Sequence, residues 1–177
     1  ALANGMVNCF QKKGLKIFGP TKEAARLESS KAFARRLMKK NGIPSPDFAV
    51  FSDANDAIDF AKSSEKPLVV KADGLALGKG VIVPNSKEET IRAIKLMLEE
   101  KAFGESSSTI VLEEKMNGLE ASFFVVSDGK NFLPLLTAQD HKRIFDNDLG
   151  QNTGGMGSFA PSLLVDANMQ EKILNKI

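Results

Sequence analysis

The sequence predicts a mixed α/β chain of the α+β type. Between residues 48 and 113, short apolar runs alternate with amphipathic helical patterns. From Glu120 onward the pattern changes to antiparallel β around an Asp128-Gly129 turn. A third observation is the stretch Leu68 to Val81, where an apolar strand runs into Lys71, then a glycine-punctuated loop holding Lys79, then another apolar strand.

Taken in order, Leu2 to Lys13 reads as a helix and Leu15 to Phe18 as a short strand closed by Gly19-Pro20. Thr21 is placed to cap a brief helix with Glu23 near its start. Ser29 or Ser30 caps a second helix, with Phe33, Ala34, Leu37 and Met38 at helical spacing. Arg35, Arg36, Lys39 and Lys40 read as its solvated face. Ile43-Pro44-Ser45-Pro46 is a stiff link, and a domain boundary is expected there. Phe48 to Phe51 is the next strand, Asp53 caps a helix over 54–62, and Pro67 to Ala72 is a strand. Val81 to Val83 follows, then a long helix capped by Ser86, with Ile91, Ile94, Met97 and Leu98 toward the core. Thr109 to Glu113 is a strand, and Glu120 to Val126 pairs with Phe132 to Thr137 as a hairpin. Ala138 to Pro161 is polar, glycine-rich and too long for a simple connector, so it reads as a functional or disordered loop. Val165 to Ile177 is helical. Both ends read as cut within helical patterns, so a piece of a larger polypeptide is expected.

The charge balance of 24 basic against 22 acidic residues, a formal +2, points to neither nucleic acid nor an anionic membrane as partner. No apolar run approaches the roughly 18 residues that span a bilayer, and no signal peptide is visible. The single cysteine, Cys9, excludes an internal disulfide and reads as a small core residue on a helix face. Cysteine usage fits the reducing cytoplasm, which is the expected location.

Glycines let a backbone come close and turn its N–H groups inward, while lysines neutralise charge, so the Lys71 to Gly80 loop suits a polyphosphate. It is not a Walker A loop, because Gly80 follows Lys79 where Ser or Thr is required. A β-hairpin with a glycine turn and surface lysines remains the alternative. Three further features accompany it: Lys31, forty residues before Lys71; the strand Ile110 to Met116, ending in Glu113 and Glu114, with Glu120 beyond; and Ala138 to Arg143 followed by Asn152 to Gly157. His141, the only histidine, reads as a loop residue rather than a proton carrier. Asp140, Asp146 and Asp148 do not have EF-hand spacing and read as solvated carboxylates.

The stretches GPTKEAARLESSKAFA, VVKADGLALGKGV, LEEKMNGLEAS and AQDHKRIFDNDLGQNTGGMG closely resemble the glycinamide ribonucleotide synthetase family, the phosphoribosylamine–glycine ligases of the ATP-grasp superfamily. They occur in the family's order and cover nearly the whole chain. The resemblance implies a partial ATP-grasp fold with four parts: 1–20 the tail of an N-terminal domain, 21–43 connecting helices, 44–112 a small α/β lid subdomain, and 113–177 the start of the antiparallel central domain.

It also implies ATP-dependent ligation of glycine to 5-phosphoribosylamine through a glycyl phosphate, giving glycinamide ribonucleotide in purine biosynthesis. Lys31 and Lys71 would contact the ATP phosphates from opposite sides. The Gly74 to Gly80 loop would fold over them as a flap, with Gly74, Gly78 and Gly80 permitting closure and Lys79 adding charge, and Ala72 would also contact ATP. The backbone at Glu114 and Met116 would read the adenine edge, and Glu120 would accept from the ribose hydroxyls. Glu113 would also contact ATP, through its backbone more than its side chain, which otherwise reads as a solvent-facing or paired carboxylate. Asp140, His141, Lys142, Arg143, Asn152, Thr153, Gly154, Gly155 and Gly157 would hold phosphoribosylamine. The cofactors implied are ATP and Mg2+; the family's metal-binding Glu and Asn lie well beyond the NTGGMG loop, so no metal ligand is assigned within this chain, and no residue is assigned a catalytic proton transfer.

The chain departs from the family pattern at Ser29 and Asn147, both usual Gly positions, at Leu77, usually Ala, and at Gln151, often Pro. Asn tolerates the left-handed conformation, so Asn147 is expected to substitute in the turn. Two other readings stay open: a non-catalytic adenine-nucleotide-binding fragment, and an ATP-grasp ligase acting on another carboxylate.

Overall fold

The computed structural model describes residues 1–76 and 79–177, and for 148, 151 and 152 the backbone alone. The chain divides into two compact units, Ala1–Met116 and Asn117–Ile177.

The first unit begins with a 3-10 turn, Leu2–Asn4, and helix α1, Met6–Lys12. The one long helix expected there is interrupted at Gly5, whose φ of 82° is left-handed. Cys9 on α1 is exposed, contrary to its expected core position. Leu15 to Phe18, expected as a strand, has no strand pairing among the described residues, and Phe18 is 79% exposed. An apolar run becomes a strand only when another edge takes its backbone groups. Thr21 caps a turn, receiving the Ala24 N–H at 3.4 Å, before the short α2, Arg26–Ser29. Ser30 caps α3, Lys31–Lys40, accepting from the Phe33 N–H.

Four strands form one sheet: β1, Phe48–Phe51; β2, Leu68–Ala72; β3, Val81–Ile82; and β4, Ile110–Glu114. Their order is β1-β4-β2-β3, and every neighbouring pair is antiparallel. Antiparallel pairing, expected only after Glu120, therefore already governs the first unit. Helices α4, Ala54–Ser63, and α5, Lys87–Leu98, are capped by Asp53 and Ser86 as expected.

Register decides which side chain faces what. Val70 lies opposite Leu112, and Lys71 opposite Val111. Because strand side chains alternate, Val70, Ala72, Ile110 and Leu112 share one face. That face packs on Ala57, Ile58 and Ala61 of α4 and on Ala93, Ile94 and Met97 of α5 to make the core. Lys71, Val69, Val111 and Glu113 share the other face, against which α3 lies. Ile94 is fully buried. Ile94→Val is expected to lower stability by about 1 kcal/mol, read as the urea midpoint, because it removes one buried methylene.

Two expected boundaries move. The Ile43 to Pro46 link divides nothing, because Arg35 on α3 is bound to Glu113 on β4 across it. The boundary expected after Leu112 falls inside β4, where Glu113 and Glu114 still pair with Val69 and Leu68; the division comes after Met116.

In the second unit, β5, Val125–Ser127, and β6, Phe132–Pro134, form the expected hairpin, though shorter. Its turn is held by the Asp128 carboxylate, which accepts from the Lys130 and Asn131 N–H groups, and Gly129 takes a φ of 91°. Ser122 and Ala138 form an isolated bridge beyond it. The segment expected as one long loop is instead two small antiparallel pairs. β7, Gln139–Asp140, pairs with β10, Ser158–Phe159; between them β8, Arg143–Phe145, pairs with β9, Leu149–Asn152. The turn joining β8 to β9 places Asn147 at φ 58°, ψ 31°, the left-handed conformation expected of it. Helix α6, Ala167–Lys176, capped by Asp166, closes the chain. Among the described residues no helix is long and apolar enough to cross a membrane.

Candidate functional site

The face of the first sheet that meets α3 carries a compact charged cluster. Lys71 and Glu113 are diagonal neighbours on adjacent strands, because Glu113 lies opposite Val69 two residues before Lys71. The Lys71 Nζ lies 2.6 Å from Glu113 Oε2. From α3, the Arg35 guanidinium grips the same carboxylate with two donors, Nε to Oε1 at 2.7 Å and Nη2 to Oε2 at 3.0 Å. The Glu113 side chain is only 2% exposed. Burial pushes its carboxyl up, yet the bonds and charges of Arg35 and Lys71 outweigh this and hold it below the ordinary glutamate value. Arg35 is not on the expected solvated face but pinned against β4, and the Glu113 side chain, given less weight than its backbone in the sequence, is paired with both Arg35 and Lys71. Arg36, Lys39 and Lys40 are exposed as expected, and the Lys39 ammonium lies 5.9 Å from the Phe48 ring centre.

Lys31, one helical turn before Arg35, joins this cluster. Its Nζ donates to the Gly74 carbonyl at 3.2 Å, and its backbone N–H donates to the Asp73 carbonyl. Burial lowers its pKa and the Lys71 charge adds to that, while Asp73, Glu28 and Glu113 pull the other way. Lys31 and Lys71 therefore share one electrostatic environment.

Asp73, which sequence reasoning passed over, ties the loop to α3. Its carboxylate accepts from the Ser30 hydroxyl and from the Ala32 N–H at 2.6 Å, a negative charge at a helix start. An acid immediately after the strand end in Lys-Ala-Asp-Gly was the available signal. Ser30→Ala removes both the cap and one Asp73 donor, and is expected to lower stability by about 1 to 2 kcal/mol in a denaturant titration.

The glycine-punctuated loop leaves the sheet after Ala72, which is buried and donates its N–H to the Gly80 carbonyl at 2.8 Å. Gly74 lies so close to Ser106 that a Cβ would sit 2.9 Å from the Ser106 Cα, and its N–H donates to the Ser106 carbonyl. Lys79 is exposed, and Gly78 lies outside the described residues. Glu114 ends β4 exposed, its N–H donating to the Asp47 carbonyl, and Met116 is 69% exposed. A hollow of about 630 Å3 beside Asp47, Phe60, Leu68 and Glu114 includes neither Lys31 nor Lys71 in its lining.

In the second unit, Glu120 is exposed and hydrogen-bonded by the Lys142 Nζ, which also lies 3.9 Å from Asp140. The Glu120 bond raises the Lys142 pKa. The Lys142 carbonyl accepts from both the N–H and the hydroxyl of Thr153, fixing the start of the glycine loop. The exposed His141 exchanges backbone bonds with Gly157 and Met156, and its ring lies 5.9 Å from that of Phe159. Arg143 donates to the Gly150 carbonyl at 3.1 Å and lies opposite Asn152 in the register. His141, Arg143, Asn147 and Met156 border a hollow of about 450 Å3. Gly154, Gly155 and Gly157 are exposed, with open space where each Cβ would stand.

The family described as phosphoribosylglycinamide synthetase, ATP-grasp (A) domain, matches residues 29–177. The chain belongs to that family. Among curated relatives, phosphoribosylamine–glycine ligase of Pasteurella multocida is 47% identical over 176 residues, covering 99% of this chain and 41% of the relative. The same-named protein of Vibrio vulnificus is also 47% identical over 176 residues, with the same coverage. The chain thus spans about two-fifths of the length of the curated relatives it matches. The crystal structure of phosphoribosylamine–glycine ligase from Thermotoga maritima superposes with a TM-score of 0.77 at 41% identity, covering 90% of this chain and 41% of that one. D-alanyl-alanine synthetase A from Vibrio cholerae, at 16% identity and a TM-score of 0.73 over 98% of this chain and 53% of its own, shares the fold. The phosphoribosylglycinamide synthetase architecture here is accordingly a partial ATP-grasp fold of mixed α and β structure.

Proposed function

We propose that the protein containing this chain ligates glycine to 5-phosphoribosylamine with ATP. The products are glycinamide ribonucleotide, ADP and phosphate, in cytoplasmic purine biosynthesis. The observation that carries this is the 47% identity, over 176 residues, to a protein named for that ligation.

Glycine's carboxylate has no good leaving group, so the reaction needs it activated as an acyl phosphate before the sugar amine attacks. A protein promotes such a step by positioning the reactants and neutralising charge on the transferring phosphoryl group. Lys31 and Lys71, sharing one charged cluster, suit the ATP phosphates. A flap from Gly74 to Gly80 suits the exclusion of water from the acyl phosphate. The backbone at Glu114 and Met116 suits the adenine edge, and Glu120 the ribose hydroxyls, once Lys142 releases it. Cationic Lys142 and Arg143, with the exposed backbone from Thr153 to Gly157, suit a sugar phosphate. Mg2+ belongs to the family's use of ATP, but among the described residues no group of three or more His, Cys, Asp or Glu side chains could hold a metal ion.

The test is phosphate release from ATP by the full-length protein, with glycine and phosphoribosylamine supplied together and singly. Release that requires both is expected. Release indifferent to glycine, or supported equally by bicarbonate or formate, would remove this assignment.

A further inference from the structure

Glu113 is nearly inaccessible, yet two cations from different elements converge on it. Lys71 reaches Oε2 from the neighbouring strand, while Arg35 takes both oxygens from α3. Arg35 is itself only 20% exposed. It stands at i+4 from Lys31, so one face of one helix presents both the amine on the Gly74 carbonyl and the guanidinium on Glu113.

The arrangement has two physical consequences. A bidentate guanidinium fixes a carboxylate's plane as well as its position, which a single ammonium contact does not. Glu113 is therefore held with Oε2 toward Lys71, and Lys71 is held in turn. The second consequence concerns charge. If Lys71 were the sole partner of Glu113, the pair would be neutral and the lysine would offer an anion little net attraction. With Arg35 supplying the compensating charge, the three groups carry a net positive charge. An ammonium has three donors, so Lys71 keeps others to offer while bonded to Glu113.

We propose that Arg35 is a positioning residue for the nucleotide: by gripping Glu113 it sets the place and the effective charge of Lys71. This rests on the reading of Lys71 as a phosphate contact. Arg35 acts through Glu113 and needs no contact with ATP itself.

The experiment measures ATP affinity by calorimetry on the full-length protein and its Arg35→Met, Arg35→Lys and Arg36→Met variants, with KM for ATP and for glycine determined separately. Arg35→Met is expected to weaken ATP binding about tenfold or more, since one partner of a buried charge cluster is lost. Arg35→Lys keeps the charge but not the fork, and is expected to remain several-fold weaker. Arg36→Met, on the exposed side of α3, should bind as the parent does. KM for ATP should rise while KM for glycine holds. A purely structural role would lower the melting temperature and leave both constants of the folded protein unchanged, and that result overturns the proposal. Arg35→Lys indistinguishable from the parent overturns it too, as does equal weakening by Arg36→Met. Should Arg35→Met fail to fold, Arg35→Lys decides by the same criteria. A parent protein that binds no ATP would refute the underlying reading of the site, and this proposal with it.

Discussion

Lys71→Met is expected to bind ATP on the order of a hundredfold more weakly than the parent, a loss typical of a desolvated charge contact. Methionine keeps the apolar stem and removes the ammonium, so the sheet face stays filled. Glu113 would retain both donors of Arg35 and remain satisfied, which keeps the fold intact. The variant should therefore separate binding from stability: calorimetry with ATP shows the loss, while the urea midpoint moves little. Lys31 alone cannot compensate, because burial and its bond to the Gly74 carbonyl already constrain it. Affinity within twofold of the parent would mean that Lys71 serves only as a counter-ion to Glu113.

The parts of this structure legible in the sequence were those governed by local chemistry. Ser30, Asp53 and Ser86 each cap a helix because a short oxygen-bearing side chain reaches N–H groups two or three residues on. Ile94 and Met97 fall on the buried stripe of α5 because the stripe is written in a period of 3.6. The Asp128-Gly129 turn and the left-handed Asn147 follow from backbone preferences of single residues.

Features that depend on partners distant in sequence were not legible. Lys71 and Glu113 were each visible, but their meeting depends on the β2–β4 register, which no local pattern encodes. Arg35 was hidden for a related reason: a basic residue on an amphipathic helix looks solvated until a buried carboxylate 78 residues away is brought to it. Leu15 to Phe18 has the composition of a strand but no strand neighbour among the described residues. The Gln139 to Phe159 region has the composition of a loop, yet its two-to-four-residue strands are too short for alternation to declare them.

Glu113→Ala is expected to destabilise the protein by about 3 to 5 kcal/mol, more than any other substitution considered, because it strands buried charge. Arg35 and Lys71 would face each other across the space the carboxylate filled, with Lys31 in the same field. Glu113→Gln fills that space and accepts one bond, so its loss should be smaller, and the difference between the two variants isolates the void from the charge. Acid sensitivity provides an independent check. The folded protein holds the Glu113 carboxyl below its ordinary value, so the unfolded chain takes up this proton at higher pH than the folded one. The stability it contributes is complete above the unfolded value, about 4.3 for glutamate, and is lost as pH falls through the lower folded value. The parent should therefore lose stability steeply on acidification below that point, and Glu113→Gln, having no proton to gain there, should lose less. Parallel pH profiles for the two proteins would show that the Arg35 and Lys71 contacts do not favour the ionised carboxylate.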